Sequence, residues 1–168
     1  MTPAEPDHSV AGLLKELGPA LVLYARTWAG RDEADDVVQA VFVRLLTTKR
    51  WPTEPRPWLF RCVRNEAISW RRSIRRRLLR ERKRAESAEA IFEFHPGESI
   101  DAHESQKALE HLPAHQREIV VLRIWSGLKL AEISSITGVP VSTVHDQYQA
   151  ALSAMRTQLE PSWKSTIR

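Results

Sequence analysis

The pattern of apolar and turn-forming residues over 112–159 constrains the fold of this chain more than any other feature. Pro113 suits the first position of a helix, and Gly127 suits its left-handed end. A second helix ends at Gly138 and carries its apolar residues on one face. These residues are Leu130, Ile133 and Ile136. Three short helices separated by glycine-containing turns predict a helix-turn-helix, with a plain three-helix bundle as the alternative.

The third of these helices carries the candidate reading surface. It follows the turn Val139-Pro140, and Ser142 or Thr143 is the expected N-cap. Spacings of three and four place these apolar residues on its inner side: Val144, Tyr148, Ala151, Leu152 and Met155. The residues expected to look outward toward a DNA major groove are Thr143, His145, Asp146, Gln147 and Gln149, with Ser142 at the helix start.

Length and composition limit the remaining possibilities. A chain of 168 residues forms one medium domain or two small ones, and 42% hydrophobic residues are enough to build real cores. No apolar run approaches the roughly 20 residues of a membrane helix, and the N-terminus has no basic leader before an apolar stretch. The single cysteine, Cys62, forms no internal disulfide and suits a reducing compartment. We therefore expect a cytoplasmic protein without membrane insertion.

Charge is distributed in blocks. Residues 61–84 contain eleven Arg and Lys against two Glu, a net charge of +9. Residues 85–118 contain two Arg and Lys against eight Asp and Glu, a net charge of −6. The basic block is expected to attract a polyanion through phosphate contacts that weaken as salt rises. A solvated helix face or a basic tail is the alternative interpretation.

Aromatic residues lie among the first arginines of the basic block. Residues 55–70 read as one helix after a proline-rich turn, and they include Trp58, Phe60 and Trp70. Aromatic faces next to guanidinium groups stack unpaired bases, which favours a single-stranded nucleic acid as ligand. Some of this helix must instead be core, because a helix needs a buried stripe. The core alternative covers Trp58, Leu59, Cys62, Val63 and Ile68, with Phe60 and Trp70 evenly balanced between core and surface.

Two further helices are predicted upstream. The first spans about 10–28, is interrupted by Gly18-Pro19, and carries a stripe of Leu13, Leu14, Leu17, Leu21, Leu23 and Tyr24. The second spans 31–48, has acidic residues in its first turn, and carries a stripe of Val38, Val41, Phe42, Leu45 and Leu46. Its opposite face is either a solvated surface or a docking site for a basic partner, and consists of Asp35, Asp36, Gln39 and Arg44.

The sequence therefore predicts an all-α fold of two small helical domains. The first spans 8–82 and the second 105–160, and a flexible acidic linker over 83–104 joins them. The linker has no sustained periodicity and contains Pro96-Gly97. Its few apolar residues, Ile91, Phe92 and Phe94, are candidates for contact with a partner.

The motifs RDEADDVVQAVFVRLL and PRPWLFRCVRNEAISWRRSIRRR resemble the second conserved region of the extracytoplasmic-function sigma factors, in the sigma-70 family. The motif LPAHQREIVVLRIWSGLKLAEISSITGVPVSTV resembles the fourth region of the same family. The two matches occur in the family's order and cover most of residues 10–160. The resemblance implies a bacterial RNA polymerase sigma factor that binds core polymerase, recognises promoter DNA and assists strand opening.

The resemblance also implies roles for particular residues. The second region of the family binds the clamp helices of the largest polymerase subunit, and the matching residues are Asp35, Asp36, Gln39, Phe42 and Arg44. The same region captures the minus-ten strand, and the matching residues are Trp58, Arg61, Asn65, Ser69, Arg71, Arg72, Arg75 and Arg76. The fourth region reads the minus-thirty-five duplex, and the matching residues are Ser142, Thr143, His145, Asp146, Gln147 and Gln149. The flap of the second-largest polymerase subunit is a further expected contact. An anti-sigma factor is a further expected partner, and no cofactor is implied.

The reading helix departs from the family pattern. Relatives commonly carry lysine and arginines along its exposed face, whereas residues 119–159 here hold three basic against two acidic residues. A carboxylate at Asp146 repels phosphate but accepts a hydrogen bond from a cytosine amino group, and Gln147 or Gln149 suits adenine. We therefore expect weak or unusual duplex contact by this domain, with the arginines of the 71–77 stretch supplying more of the affinity.

Evidence for enzyme chemistry is slight. His111 and His115 have the spacing of a zinc pair, but Pro113 lies between them and no nearby cysteine or clustered carboxylate completes a site. Surface histidines are therefore expected, and no metal site is predicted. No Gly-rich phosphate loop and no nucleophile with an evident base occurs. Two other function classes remain: a stand-alone helix-turn-helix regulator, which leaves the aromatic basic helix unused, and an adaptor that acts mainly through protein partners.

Overall fold

The computed structural model describes residues 9–81, 105 and 107–166, and these residues form helices and short connections, with no β-strand among them. The chain divides into two compact units, Met1–Ala90 and Ile91–Arg168, which we call the N-terminal and C-terminal units. The prediction of an all-α fold is confirmed. None of the helices within the described ranges is long and apolar enough to span a bilayer. The predicted linker over 83–104 lies outside the described residues.

The N-terminal unit is formed by three helices, α1 (Val10–Ala29), α2 (Arg31–Thr47) and α3 (Pro55–Glu81). Ser9 caps α1, and its side-chain oxygen accepts a hydrogen bond from the Gly12 N–H at 3.0 Å. Gly30 alone joins α1 to α2 with φ of +91°, a backbone conformation that side chains with a Cβ rarely adopt. This one-residue link turns the chain sharply and sets α2 against α1.

The expected break in α1 at Gly18-Pro19 is wrong, because the helix continues through both residues. Proline removes one backbone donor and crowds the preceding turn, which normally ends a helix. Here buried leucines on both sides of the proline hold the helix to its neighbours. The proline itself is exposed, so the disrupted turn faces away from the core. Tertiary packing therefore outweighs the local penalty.

The core of the N-terminal unit lies where the three helices meet. Tyr24 and Phe60 are fully buried, and their ring centroids are 5.6 Å apart at an interplanar angle of 52°. The buried hydrophobic residues around them are Leu13, Leu17, Leu21, Ala25, Ala34, Val37, Val38, Val41, Phe42, Leu45, Leu59, Val63 and Ala67. Two predicted stripe residues, Leu14 and Leu46, are instead exposed, at 48% and 66%.

The C-terminal unit has a short helix α4 (Ala114–Val120), which continues as a π-helical turn (Val121–Trp125), followed by α5 (Leu130–Thr137) and α6 (Val141–Thr166). Residues 107–110 are also helical. Arg117 ties this segment to α4, since its guanidinium donates to the carbonyls of Leu109, Glu110 and Leu112 at 2.9–3.1 Å. The sequence pattern predicted a plain helix up to Gly127 and did not reveal the π-helical turn.

Both predicted glycine stops of the C-terminal unit are confirmed. Gly127 has φ of +63° and Gly138 has φ of +75°, and Gly138 ends α5 by donating its N–H to Ser134 O at 2.9 Å. The Ser134 hydroxyl also donates to Val139 O at 2.6 Å and fixes the turn into α6. Buried Ile133 and Val144 lie on either side of this turn, which gives the helix-turn-helix its core.

Three helix boundaries or lengths differ from expectation. Pro113 is the N-cap of α4 rather than its first residue, and its carbonyl accepts from the Arg117 N–H at 3.0 Å. α6 begins at Val141 because the Pro140 carbonyl accepts the first helical bond, from the Val144 N–H at 2.9 Å. Ser142 and Thr143 therefore belong to the first turn and are not the cap. The third helix is also long rather than short, at 26 residues.

Candidate nucleic-acid and polymerase interfaces

The second half of α3 projects beyond the helical core. Ala67 is the last buried residue of α3 among those whose side chains are described, and over residues 69–77 only Ile74 is even half-buried. At 1.5 Å per residue, residues 69–77 extend for about 14 Å. The exposed side chains include Trp70 and all five arginines of the 71–77 stretch. We call this part of the helix, residues 69–77, the basic rod.

The predicted minus-ten residues form a continuous exposed line along α3. Arg61, Asn65, Ser69, Arg72 and Arg76 are all exposed and follow one another at spacings of four or three, so they share one face of the helix. Trp58 is half-buried at the start of this line, and Arg71 and Arg75 are exposed beside it. The line combines cationic groups for phosphates with an amide that both donates and accepts hydrogen bonds.

Phe60 and Trp70, which the sequence left evenly balanced, have different environments. Phe60 is 1% exposed against Tyr24, whereas Trp70 is 39% exposed on the basic rod. Leu59 and Val63 are core as the alternative interpretation held, while Cys62 and Ile68 are half-buried. The aromatic surface that remains available to a base on this helix is therefore Trp70 together with the half-buried Trp58.

The connection between α2 and α3 carries a group that the sequence reasoning missed. Trp51 is 42% exposed and follows two exposed cationic residues, Lys49 and Arg50. The signal was present in the sequence as a tryptophan next to a basic pair in the proline-rich turn. It is the same combination of an aromatic face and positive charge that marked α3. A second pair of an arginine and a tryptophan lies between α1 and α3, where the Arg64 guanidinium carbon is 5.7 Å from the centre of the Trp28 ring.

The outer face of α2 carries an acidic half and an apolar half. Asp35, Asp36 and Gln39 are exposed, and Phe42 lies beneath them in the core at 5% exposure. One turn further on, Val43 and Leu46 are among the most exposed apolar side chains of the described residues. Val43 was not predicted as a surface residue, and Leu46 was predicted as core. An acidic surface that continues into exposed apolar residues suits a protein partner better than a purely solvated face does.

Arg44 differs from its predicted neighbours because it already has an intramolecular partner. Its Nη2 lies 2.8 Å from Glu66 Oε2 on α3, so the pair links α2 to α3. Burial raises the pKa of the Cys62 thiol, and the charge and hydrogen bond of Arg44 act against that rise.

Breaking the link with Glu66→Gln is expected to lower the free energy of unfolding of the N-terminal unit by less than about 1 kcal/mol, because both side chains are partly exposed. Arg44→Ala is expected to have a similarly small effect on stability. If Arg44 also touches polymerase, as the resemblance implies, Arg44→Ala weakens polymerase binding and Glu66→Gln does not. Urea denaturation and binding titrations measure both quantities, and a loss of several kcal/mol in either variant contradicts the expectation.

On α6, the predicted outward residues separate into two groups. His145, Asp146 and Gln149 are exposed, and Ser142 is exposed at the helix start. Thr143 and Gln147 are half-buried instead, so the expectation that they look outward is wrong. They lie at the border of the stripe that packs Val144 and Ala151 into the core. The side-chain oxygen of Gln147 is buried and has no hydrogen-bond partner among the described residues.

Little positive charge surrounds the reading helix. Lys129 and Arg123 are exposed, but the Arg123 guanidinium donates to Leu128 O at 2.9 Å and so supports the turn before α5. At the start of α5, the Glu132 carboxylate accepts from the Lys129 backbone N–H at 2.7 Å. A carboxylate at this position occupies a helix terminus that otherwise favours phosphate. His111 and His115 are both exposed, and His111 Nδ1 lies 2.7 Å from Lys107 O.

Comparison with known proteins identifies the family of this chain. The chain is 32% identical over 132 residues to the RNA polymerase sigma factor SigV of Bacillus subtilis, and the match covers 77% of each protein. The chain belongs to the RNA polymerase sigma factors. It is also 30% identical over 151 residues to the ECF RNA polymerase sigma factor EcfG of Rhodopseudomonas palustris, a match that covers 84% of this sigma factor and 80% of its relative.

The two sigma-70 regions fall in separate units. The family model for sigma-70 region 2 matches residues 13–77. This range covers most of the three helices of the N-terminal unit and includes the basic rod. The model for sigma-70 region 4 matches residues 104–155, which include the helix-turn-helix. This sigma factor therefore carries both sigma-70 region 2 and sigma-70 region 4, and it acts in transcription initiation.

Two solved structures share the fold of this chain. The sigma factor RpoE of Bartonella quintana, in complex with the anti-sigma factor NepR, superposes with a TM-score of 0.70 at 25% identity, over 89% of this chain and 95% of that one. CnrH, solved with the cytosolic domain of CnrY, gives a TM-score of 0.61 at 24% identity, over 90% of this chain and 88% of that one.

Proposed function

We propose that this sigma factor captures the opened minus-ten strand on α3. The observation that carries the proposal is the basic rod, which presents Trp70 among exposed arginines beyond the helical core. A strand that lies along the line from Arg61 to Arg76 has its phosphates next to guanidinium groups. An unpaired base stacks on an exposed tryptophan, whereas a paired base is already stacked in the duplex. Trp51 and its basic neighbours add a second aromatic face for the same strand.

The outer face of α2 is the proposed contact with the clamp helices of the largest polymerase subunit. Its acidic residues suit a basic partner surface, and the exposed Val43 and Leu46 supply apolar area that is covered on binding. The C-terminal unit is the proposed contact with the flap of the second-largest subunit. An anti-sigma factor that covers these same surfaces is a further proposed partner, which the complex of RpoE with NepR supports as a precedent in a related protein.

The C-terminal unit is proposed to read the minus-thirty-five duplex with low intrinsic affinity. Its exposed reading side chains are uncharged or acidic apart from His145, and Glu132 already caps the helix before the turn. Most of the affinity for DNA then comes from the N-terminal unit. The protein works in the cytoplasm by positioning polymerase on a promoter and performs no covalent chemistry of its own. A stand-alone regulator is less well supported, because it gives the basic rod no role.

The test of this proposal is transcription with purified components. Core RNA polymerase supplemented with the full-length protein is expected to produce run-off transcripts from a subset of a randomised promoter library. The protein is also expected to prefer a template with an open bubble over the closed duplex. If the protein neither joins core polymerase nor favours bubble templates, the proposal is wrong. Binding to closed duplex without polymerase supports the stand-alone regulator instead.

Removing the acidic charge of α2 is expected to weaken binding to core polymerase. The double variant Asp35→Asn with Asp36→Asn keeps the shape of the face and is expected to bind about tenfold more weakly, mainly through slower association. The difference shrinks as salt screens the charges. Titration of labelled protein with core polymerase measures the effect. The control is Glu16→Gln with Glu54→Gln, which removes two exposed charges elsewhere in the same unit. Equal weakening by the control contradicts the proposed contact.

A further inference from the structure

We propose that Asp146 selects a cytosine in the upstream promoter element by accepting a hydrogen bond from the exocyclic N4 amino group of that base. The inference rests on the proposed function of the C-terminal unit as a reader of duplex DNA. It goes beyond that function because it names the residue and the base that decide sequence preference at one position.

The position of Asp146 on α6 makes it available to a base edge. Ser142, Asp146 and Gln149 follow one another at spacings of four and three on the exposed side of the helix. The side chain of Asp146 is 80% exposed, and this side of α6 lies opposite the buried Val144 and Ala151. Because α6 packs its apolar side against the C-terminal unit, Asp146 lies on the opposite side, where a DNA groove is accessible to it.

The neighbours of Asp146 leave its charge almost uncompensated. Among the described residues no arginine or lysine pairs with it, and its one polar contact is His145 Nδ1 at 3.4 Å from Oδ1. This contact involves only Oδ1 of the carboxylate. His145 is therefore a positioning residue that restricts the carboxylate without neutralising its capacity to accept a hydrogen bond.

A carboxylate without a cationic partner binds in a DNA groove only next to a hydrogen-bond donor. Next to phosphates it is repelled, so it binds only where a base supplies a donor. In the major groove thymine presents an acceptor and a methyl group, and guanine presents two acceptors. Adenine presents an amino donor, but its N7 acceptor lies beside that donor and faces the second carboxylate oxygen. Cytosine presents its N4 amino group with no adjacent acceptor on the same base, which makes it the matching partner.

Substitutions at position 146 distinguish a specific hydrogen bond to cytosine from a general effect of negative charge. Asparagine at position 146 both donates and accepts, so Asp146→Asn is expected to exchange the preference for cytosine for a preference for adenine. Asp146→Ala removes both functions and is expected to abolish selection at that position. Glu16→Gln on α1 is the control, because it removes one exposed carboxylate charge from the other unit. Asp146 and Glu16 are both exposed, so all three variants are expected to fold.

The experiment is run-off transcription by full-length protein with core polymerase from a library randomised in the upstream element. Wild type and Glu16→Gln are expected to enrich cytosine at one position by about tenfold over the other bases. Asp146→Ala is expected to lose that enrichment, and Asp146→Asn to shift it toward adenine. A template that carries a cytosine analogue without the amino group at that position is expected to lose activity with wild type and Glu16→Gln, but not with Asp146→Ala.

Two different failures are separable. If wild type gives transcripts but Asp146→Ala and Asp146→Asn enrich the same bases as wild type at every position, the role of Asp146 is overturned and the proposed function stands. If wild type gives no transcripts from any template, the proposed function itself fails, and the inference fails with it. His145→Ala is expected to reduce the cytosine preference only in part, which is the behaviour of a positioning residue. Full loss of transcription in that variant contradicts this role.

Discussion

Replacement of Arg71, Arg72 and Arg75 by alanine is expected to lower the affinity of this sigma factor for a single-stranded minus-ten bubble by about 100-fold at about 0.1 M salt. All three side chains are exposed on the basic rod, beyond the last buried residue described on α3. Each phosphate contact to a single strand releases most of one condensed counterion, so each lost arginine costs roughly fivefold at this salt concentration. The loss is expected to act on all sequences almost equally.

The salt dependence separates a phosphate contact from a folding defect. A plot of log affinity against log salt is expected to become shallower by about two in slope for the triple variant, since about 0.7 of a counterion is released per contact. Fluorescence anisotropy of a labelled bubble template, measured over a series of salt concentrations, provides both numbers. The control is Lys15→Ala, Arg31→Ala and Lys107→Ala, which removes the same charge from exposed positions outside the rod. An unchanged slope in the rod variant contradicts the proposed phosphate contacts.

Much of this architecture follows from spacing in the sequence. The stripe of apolar residues in α2 and the glycine stops after Trp125 and Thr137 are local signals, and both helix periodicity and left-handed glycine conformations act over only a few residues. The exposure of the basic rod is also a local signal, because a run of arginines without apolar neighbours has little apolar surface to bury. The family resemblance supplied the roles that no local pattern carries.

What the sequence did not reveal depends on tertiary packing. The continuity of α1 through Pro19 is decided by leucines that pack on other helices, and the pattern within α1 has no information about them. Gln147 is half-buried because it lies at the border of the packed stripe, where a small rotation of the helix decides exposure. Trp51 was missed because a connection between helices has no periodicity from which exposure is read. Phe60 and Trp70 were ambiguous because both are aromatic residues on one amphipathic helix.

The contrast between Phe60 and Trp70 gives the second large expected effect. Phe60→Ala is expected to destabilise the N-terminal unit by about 3–5 kcal/mol, because it removes a fully buried ring and leaves a cavity against Tyr24. Trp70→Ala removes a larger side chain but is expected to cost less than about 1 kcal/mol, since the ring is exposed on the basic rod. Burial therefore decides the stability effect, and side-chain size does not.

In DNA binding, Trp70→Ala is expected to have the larger effect and Phe60→Ala the smaller one, which is the reverse of their effects on stability. Trp70→Ala removes a stacking surface that contributes about 1–3 kcal/mol per base, so its affinity for the bubble is expected to fall by about 5- to 150-fold. Binding by the folded fraction of Phe60→Ala is expected to change much less. Hydrogen exchange of amides in α1 and α2 of the full-length protein measures stability, and anisotropy with the bubble template measures binding. If Trp70→Ala loses as much protection in α1 as Phe60→Ala does, its ring is a core element and the proposed strand-capture surface loses its aromatic component.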